Sequence, residues 1–232
     1  MADPLFALSI QQPWIWAILR AGKRVENRTW APPARIRGQR IALHASKGLD
    51  ASGFAALSEI IGGGVPSASH LLTGGIVATA RLVGAVRIAP IEDPDGPRNV
   101  AVELVGHLDE FHPGMVCGSP WSFGPWCWVL EDVLPLPSAI PGGGKLGVWP
   151  VEEPFLEAVR EQEALARGAP AEPHVQVACQ VLVDLPSSIR ILLPSPAGRL
   201  VVVPKSQILG EAPGSITVTR WFAQREQLTP SP

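Results

Sequence analysis

Residues 5–28 read LFALSIQQPWIWAILRAGKRVENR, and the changes of period inside this stretch decide the fold class. Leu5 to Ile10 follows the pattern of a half-buried strand. Pro13 suits the first helical position, because its missing N–H is one a helix leaves unpaired anyway. Trp14 to Ala21 then carries a helix that Gly22 can stop. The chain is expected to extend again from Val25 to Trp30.

The same reading continues outward. Pro32-Pro33 and Gly38 mark a loop, and Arg40 to Ala45 reads as the next strand. Phe54 to Ile61 is a short helix ended by Gly62-Gly63-Gly64. Gly74 to Ile88 reads as a long or bent strand with Gly84 as a bulge. Ala89 to Pro120 is polar, with scattered Pro and Gly, and is expected to be a long functional loop. Trp126 to Val133 and Leu146 to Val151 close the set. Strands mixed with short helices predict an α+β fold, a small β-barrel with flanking helices, over residues 1–153. Residues 154–173 are expected to be a helical linker, with Phe155 to Ala166 as its helix and Gly168 to Pro173 as its flexible part. Residues 174–232 are expected to form a small β-rich C-terminal module from Val175–Leu185, Ile189–Leu193, Leu200–Val203 and Ser215–Val218. So small a module has a thin core, which predicts packing on the first domain or on a protein partner.

Composition narrows the function classes. No window approaches eighteen consecutive apolar residues and no basic segment precedes an apolar run at the start, so a membrane partner is not expected and the chain is read as cytoplasmic. Three cysteines at irregular spacing fit a reducing compartment rather than a disulfide framework. The net charge of −2 hides an uneven distribution. Arg20 to Lys47 holds eight basic residues (Arg20, Lys23, Arg24, Arg28, Arg35, Arg37, Arg40 and Lys47) against Glu26 alone. Gly48 to Glu163 holds five basic and fifteen acidic residues. A basic strip on an acidic chain points to a localised anionic ligand or to a solvated basic edge.

Several motifs fail on inspection. Gly142-Gly143-Gly144-Lys145 lacks the earlier glycine of a nucleotide phosphate loop, since Ala139 stands there, and Leu146 replaces the Ser or Thr that would hold magnesium. It reads as a flexible turn with one cation. His107, His112, Cys117 and Cys127 lie at intervals of five, five and ten, unlike the tight pairs of structural zinc sites. No Gly-x-Ser-x-Gly elbow is present. Neither metal nor cofactor is expected.

Lys23, Glu26 and Arg28 follow a helix stop, where chains turn and sites commonly sit. If buried, the lysine and carboxylate form a polarised pair able to move a proton; if exposed, they are an ion pair of negligible energy. His44-Ala45-Ser46-Lys47 ends a strand with three polar side chains. Ser119-Pro120-Trp121-Ser122-Phe123-Gly124-Pro125-Trp126 is a rigid aromatic turn whose tryptophans either pack in the core or stack on a base.

Taken together, Leu8-Ser9-Ile10-Gln11-Gln12-Pro13-Trp14 and Gly22-Lys23 through Glu26-Asn27-Arg28-Thr29-Trp30 resemble the opening signature of the ASCH (activating signal cointegrator homology) domain. His44-Ala45-Ser46-Lys47, Gly75-Ile76-Val77-Ala78, Ser119-Pro120-Trp121, Gly124-Pro125-Trp126 and Gly144-Lys145-Leu146-Gly147-Val148-Trp149 follow in the expected order. The resemblance implies a PUA-like barrel with a cleft for RNA or a nucleobase. One bacterial member is an amidohydrolase of N4-acetylcytidine, whose catalytic lysine matches Lys23; a threonine there stands where this chain has Glu26. Another relative is reported as a ribonuclease.

Three readings follow. In a binding module, Arg28, Lys47 and other strip residues hold phosphate, Trp14 or Trp121 stacks the base, and Gln12 and Glu26 read its polar edge, with His44 and Ser46 beside them. In an amidohydrolase of N4-acylated cytidine-type nucleosides, Lys23 is the base or water activator and Glu26 its partner or a proton shuttle. In the third, the protein is a scaffold whose C-terminal β module recruits a protein partner while the cleft is vestigial; the tail from Leu200 to Ala223 looks like a small module at the end of some bacterial and phage proteins.

Overall fold

The computed structural model describes residues 4–94, 96–168, 175–184, 188–194, 198–204, 208–218, 223, 226 and 228. Two compact units emerge: one holds residues up to Pro135 together with Pro141–Val151, the other Leu136–Ile140 and residues from Glu152 onward.

The first unit is built on one seven-stranded sheet. In chain order it uses β1 (Phe6–Gln12), α1 (Trp14–Arg20), β2 (Val25–Arg28), β3 (Arg40–Leu49), α2 (Ala51–Ile61), β4 (Gly75–Ile91), β5 (Arg98–Gly106), α3 (Phe111–Cys117), β6 (Trp126–Pro141, of which Leu136–Ile140 counts with the second unit) and β7 (Val148–Pro150). The strand order is β2-β6-β4-β3-β1-β7, with β5 paired to β4. β1 and β3 run parallel, Phe6 opposite Ile41 and Ile10 opposite Ala45. The sheet curls into a half-barrel of PUA-like, α+β type. Arg28 on β2 donates to the Ser9 carbonyl on β1 at 2.7 Å, although four pairings separate those strands along the sheet.

The sequence pattern explains the core. β4 is buried at nearly every position from Gly75 to Val86, as a strand covered on both faces must be. In β6, Trp126, Cys127 and Trp128 are all buried, so both faces of this strand are covered too. Trp128 packs edge-on against Trp30 at 4.7 Å and donates its indole N–H to the Trp30 carbonyl. Ala17 of α1, Leu57 of α2, Val116 of α3 and Trp121 close over Val25, Val83, Val86 and Val129.

The segment from Ala89 to Pro120 differs from its expectation as a loop. β4 runs on to Ile91, β5 pairs along it from Gly84 opposite Gly106 to Ile91 opposite Arg98, and α3 follows. β5 is exposed or half-buried along its length, so no hydrophobic alternation marked it. Gly84 is no bulge; the register shift falls between Arg87 and Ile88. The glycine is required by close approach, since a Cβ there would lie 2.2 Å from the Val105 carbonyl oxygen. Pro13 sits one position earlier than expected, as the N-cap of α1.

The second unit contains α4 (Phe155–Ala166) and two three-stranded sheets. β9 (Gln180–Asp184), β10 (Ser188–Leu192) and β11 (Leu200–Pro204) form one; β8 (Val175–Ala178), β12 (Ile208–Ala212) and β13 (Ser215–Val218) form the other. Gln162 of α4 accepts from the Ser138 N–H. Of the expected linker Gly168–Pro173, all but Gly168 lies outside the described residues. No described helix is long and apolar enough to cross a membrane.

Candidate nucleic-acid site

A cleft of about 670 Å³ opens where β1, β2 and β3 converge with the turns before β6 and β7. Its lining includes Ser9, Trp14, Lys23, Glu26, Arg28, Ser46, Asp50, Phe123, Leu146 and Gly147.

Strand alternation sends Glu26 and Arg28 to one face of β2 and Val25 to the core. Lys23 precedes the strand, its N–H held by the Ala17 carbonyl at the end of α1. Its side chain is 1% exposed. The ammonium donates to the Val25 carbonyl and to Glu26 Oε2, the latter at 3.2 Å. Glu26 Oε1 meets Arg28 Nη2 at 3.1 Å, with the two side chains 8% and 20% exposed. Burial pulls the Lys23 pKa below the ordinary lysine value, against the neighbouring Glu26 charge that favours the ammonium. The arrangement is a buried cation–anion–cation triad, not the exposed pair that spacing alone also allowed.

Trp14 supplies a fixed aromatic plane. Its indole N–H donates to Asp50 Oδ2 at 2.8 Å, while Asp50 Oδ1 caps α2 through the Gly53 N–H at 3.0 Å. These donors, with the Ser52 hydroxyl the foremost, hold the Asp50 carboxyl below the usual carboxylate range. Gly53 leaves the ring its space, as a Cβ there would come within 2.9 Å of the indole. The Lys23 ammonium lies 5.8 Å from the Trp14 ring centroid. Phe123, 56% exposed, leans on Trp14 with centroids 5.2 Å apart and planes at 47°. Asn27 poses that phenylalanine: its Oδ1 accepts from the N–H groups of Phe123 and Gly124 and its Nδ2 donates to the Trp121 carbonyl. Asp50→Ala removes both the helix cap and the indole's anchor. We expect it to cost about 1–2 kcal/mol in urea denaturation and to loosen Trp14.

Of the residues expected at the site, the structure brings Trp14, Lys23, Glu26, Arg28 and Ser46 together in the cleft lining. Gln12 is buried behind it, donating to the Leu72 carbonyl and accepting from the Trp16 N–H. His44 is buried too, bonded through Nε2 to the Gly142 carbonyl, with Nδ1 3.4 Å from Ser9 Oγ. Lys47 is exposed but points away from the face of Ser46 and Gly48, its chain lying along Gly74. Trp121 belongs to the core cluster. Much of the remaining basic strip serves local structure: Arg24 donates to the Ile18 carbonyl, Arg37 to the Pro32 carbonyl, and Arg40 pairs with Asp132.

The sequence assigns no individual site role to Ser9, Asn27, Asp50, Phe123 or Leu146, although all but Asp50 stand in the motifs quoted above. The signal at Asp50 is its place as a capping residue directly before a helix. Burial lowers the His44 pKa below 6.5, opposed by its bond to Gly142. The unfolded chain therefore takes up this proton first, so its contribution to stability is complete above about pH 6.5 and declines below it. Denaturation curves from pH 7.5 to 5.5 should show a shallower pH dependence for His44→Gln than for the wild type.

No curated protein matches this chain. The family model described as the ASCH domain, a domain generally associated with RNA binding, matches residues 8–113, the span from β1 into α3 that carries Trp14, Lys23, Glu26, Arg28 and Asp50. Residues 8–113 of this chain carry the ASCH domain.

Proposed function

We propose that the cleft binds one unstacked base of RNA, or the equivalent modified nucleobase. The observation that carries this reading is the placement of a fixed Trp14 plane, extended by Phe123, beside the buried Lys23–Glu26–Arg28 triad. A base presents an apolar face and a polar edge, and this cleft offers a wall for the first and charged groups for the second. Lys23 keeps one ammonium proton beyond its two protein acceptors, and each Glu26 oxygen keeps a lone pair beyond its cation. A ligand edge with an acceptor beside a donor satisfies both. The volume lies within the range of small-molecule sites, roughly 300–1,000 Å³. Gln12, His44 and Trp121 support the cleft from behind in this reading, and Ser46 stays at its wall.

Fluorescence anisotropy with mixed-sequence single-stranded RNA octamers tests it. Binding at low salt that weakens as salt rises supports the reading; absence of binding to every oligomer at low salt overturns it.

One observation favours a second reading as an amidohydrolase of N4-acylated nucleosides: burial drives Lys23 toward the neutral amine that a base requires. Release of free acid from N4-acylated cytidine by the wild type, and its loss in Lys23→Ala, would establish that reading. Equal hydrolysis by the variant would exclude the mechanism. The second unit is proposed to contact a protein partner.

A further inference from the structure

The turn from Gly142 to Gly147 borders the cleft and is built with its carbonyls turned inward. The Gly142 carbonyl accepts from His44 Nε2 at 3.0 Å, and the Lys145 carbonyl accepts from the Ser9 hydroxyl at 2.7 Å. The Gly147 carbonyl accepts from the Ser9 N–H at 3.3 Å. Gly144 is pressed flat on this support, since a Cβ there would lie 2.4 Å from the His44 ring and 2.8 Å from Ser9 Oγ. Four N–H groups of the turn lack a protein partner. Among the described residues, the N–H groups of Gly143, Gly144, Lys145 and Leu146 make no hydrogen bond, and the Lys145 ammonium has no carboxylate partner. All four residues are exposed, Leu146 at 99%.

Backbone N–H groups without a protein partner, beside a lysine with no carboxylate, can donate to an oxyanion. The triad sets two cations against one carboxylate and, in the base-binding reading, faces the base edge. A nucleotide with its base on Trp14 carries its phosphate beside that edge, where the turn whose Leu146 and Gly147 line the cleft supplies a further cation, Lys145. We propose that the 143–146 turn is the phosphate seat, contacting the phosphodiester next to the bound base through its main-chain N–H groups and Lys145. The inference rests on the base-binding reading. It assigns a role to the glycine turn that nucleotide-loop spacing had excluded from hydrolysis chemistry.

The test is an amide NMR titration of the whole chain with the four ribonucleosides and with their 3′- and 5′-monophosphates. Nucleosides are expected to move the Trp14 indole N–H signal and to leave the amides of Gly143 to Leu146 still. At least one monophosphate series is expected to move it together with the amides of Gly143 to Leu146. Lys145→Ala should weaken that monophosphate about fivefold and leave nucleoside affinity unchanged. Against RNA octamers it should reduce the slope of log affinity on log salt by about 0.7. Lys145→Arg should restore both, and Arg81→Ala, which removes an equal charge from β4, should change neither. If monophosphates move the Trp14 signal while the turn amides stay still and Lys145→Ala binds as the wild type does, the seat is wrong and the base site stands. If no ligand moves the Trp14 signal, the base site fails and the seat falls with it.

Discussion

Replacing Glu26 with alanine is expected to destabilise the N-terminal unit by about 3–5 kcal/mol, because it strands a buried cation without its counter-ion. Lys23 would keep only the Val25 carbonyl as a partner, in a place where water barely reaches it. Arg28 would lose the same carboxylate but keep the Ser9 carbonyl and partial solvent contact. Lys23→Met should cost less than Glu26→Ala, since Glu26 then retains Arg28 and the methionine fills much the same volume. This ordering distinguishes a buried triad from the exposed pair that i,i+3 spacing also permits, for which either change would cost under about 1 kcal/mol. Urea denaturation of the three proteins, read as midpoints at constant slope, checks it.

Replacing Trp14 with alanine should weaken RNA binding by about 1–3 kcal/mol, roughly 5- to 150-fold, with fold retained. The ring is half-buried, its edge is tied to Asp50 and its face is shared with Phe123 and Lys23. Its removal deletes the stacking wall while leaving the triad in place. Phe123→Ala should give a smaller loss, because that ring extends the wall without carrying the indole's anchor. Trp14→Phe should recover part of the affinity, since a plane remains but its hydrogen bond to Asp50 does not. Anisotropy titrations of the three variants against one octamer at fixed low salt measure the series. A Trp14→Ala affinity equal to the wild type would remove the aromatic wall from the account.

The legible parts of this fold are those where local pattern and tertiary role coincide. β1, α1 and the long β4 stood out because their apolar periods match what they bury. β5 did not, because its exposure leaves no period to read, and it is held by main-chain pairing to β4 and by α3. The site divides in the same way. Glu26 and Arg28 share a face by strand alternation, which a sequence shows, but the burial of Lys23 depends on how α1 and β6 close around it. Trp121 and Phe123 stand two residues apart in one aromatic turn, and only the Asn27 clamp decides which of them faces the cleft. The charge strip was the least transferable signal. Charges adjacent in sequence were dispersed by the fold to helix ends, loop carbonyls and an acidic partner on β6, leaving two in the cleft.

Zero-length photocrosslinking tests the central claim most directly. RNA octamers carrying a photoreactive pyrimidine at one position would be irradiated with the full chain and the attached peptides identified by mass spectrometry. Base binding in the cleft predicts crosslinks concentrated on Trp14 and Phe123, lost when unlabelled RNA competes. Crosslinks confined to the second unit, or spread evenly over exposed lysines with Trp14 and Phe123 unmarked, would contradict it.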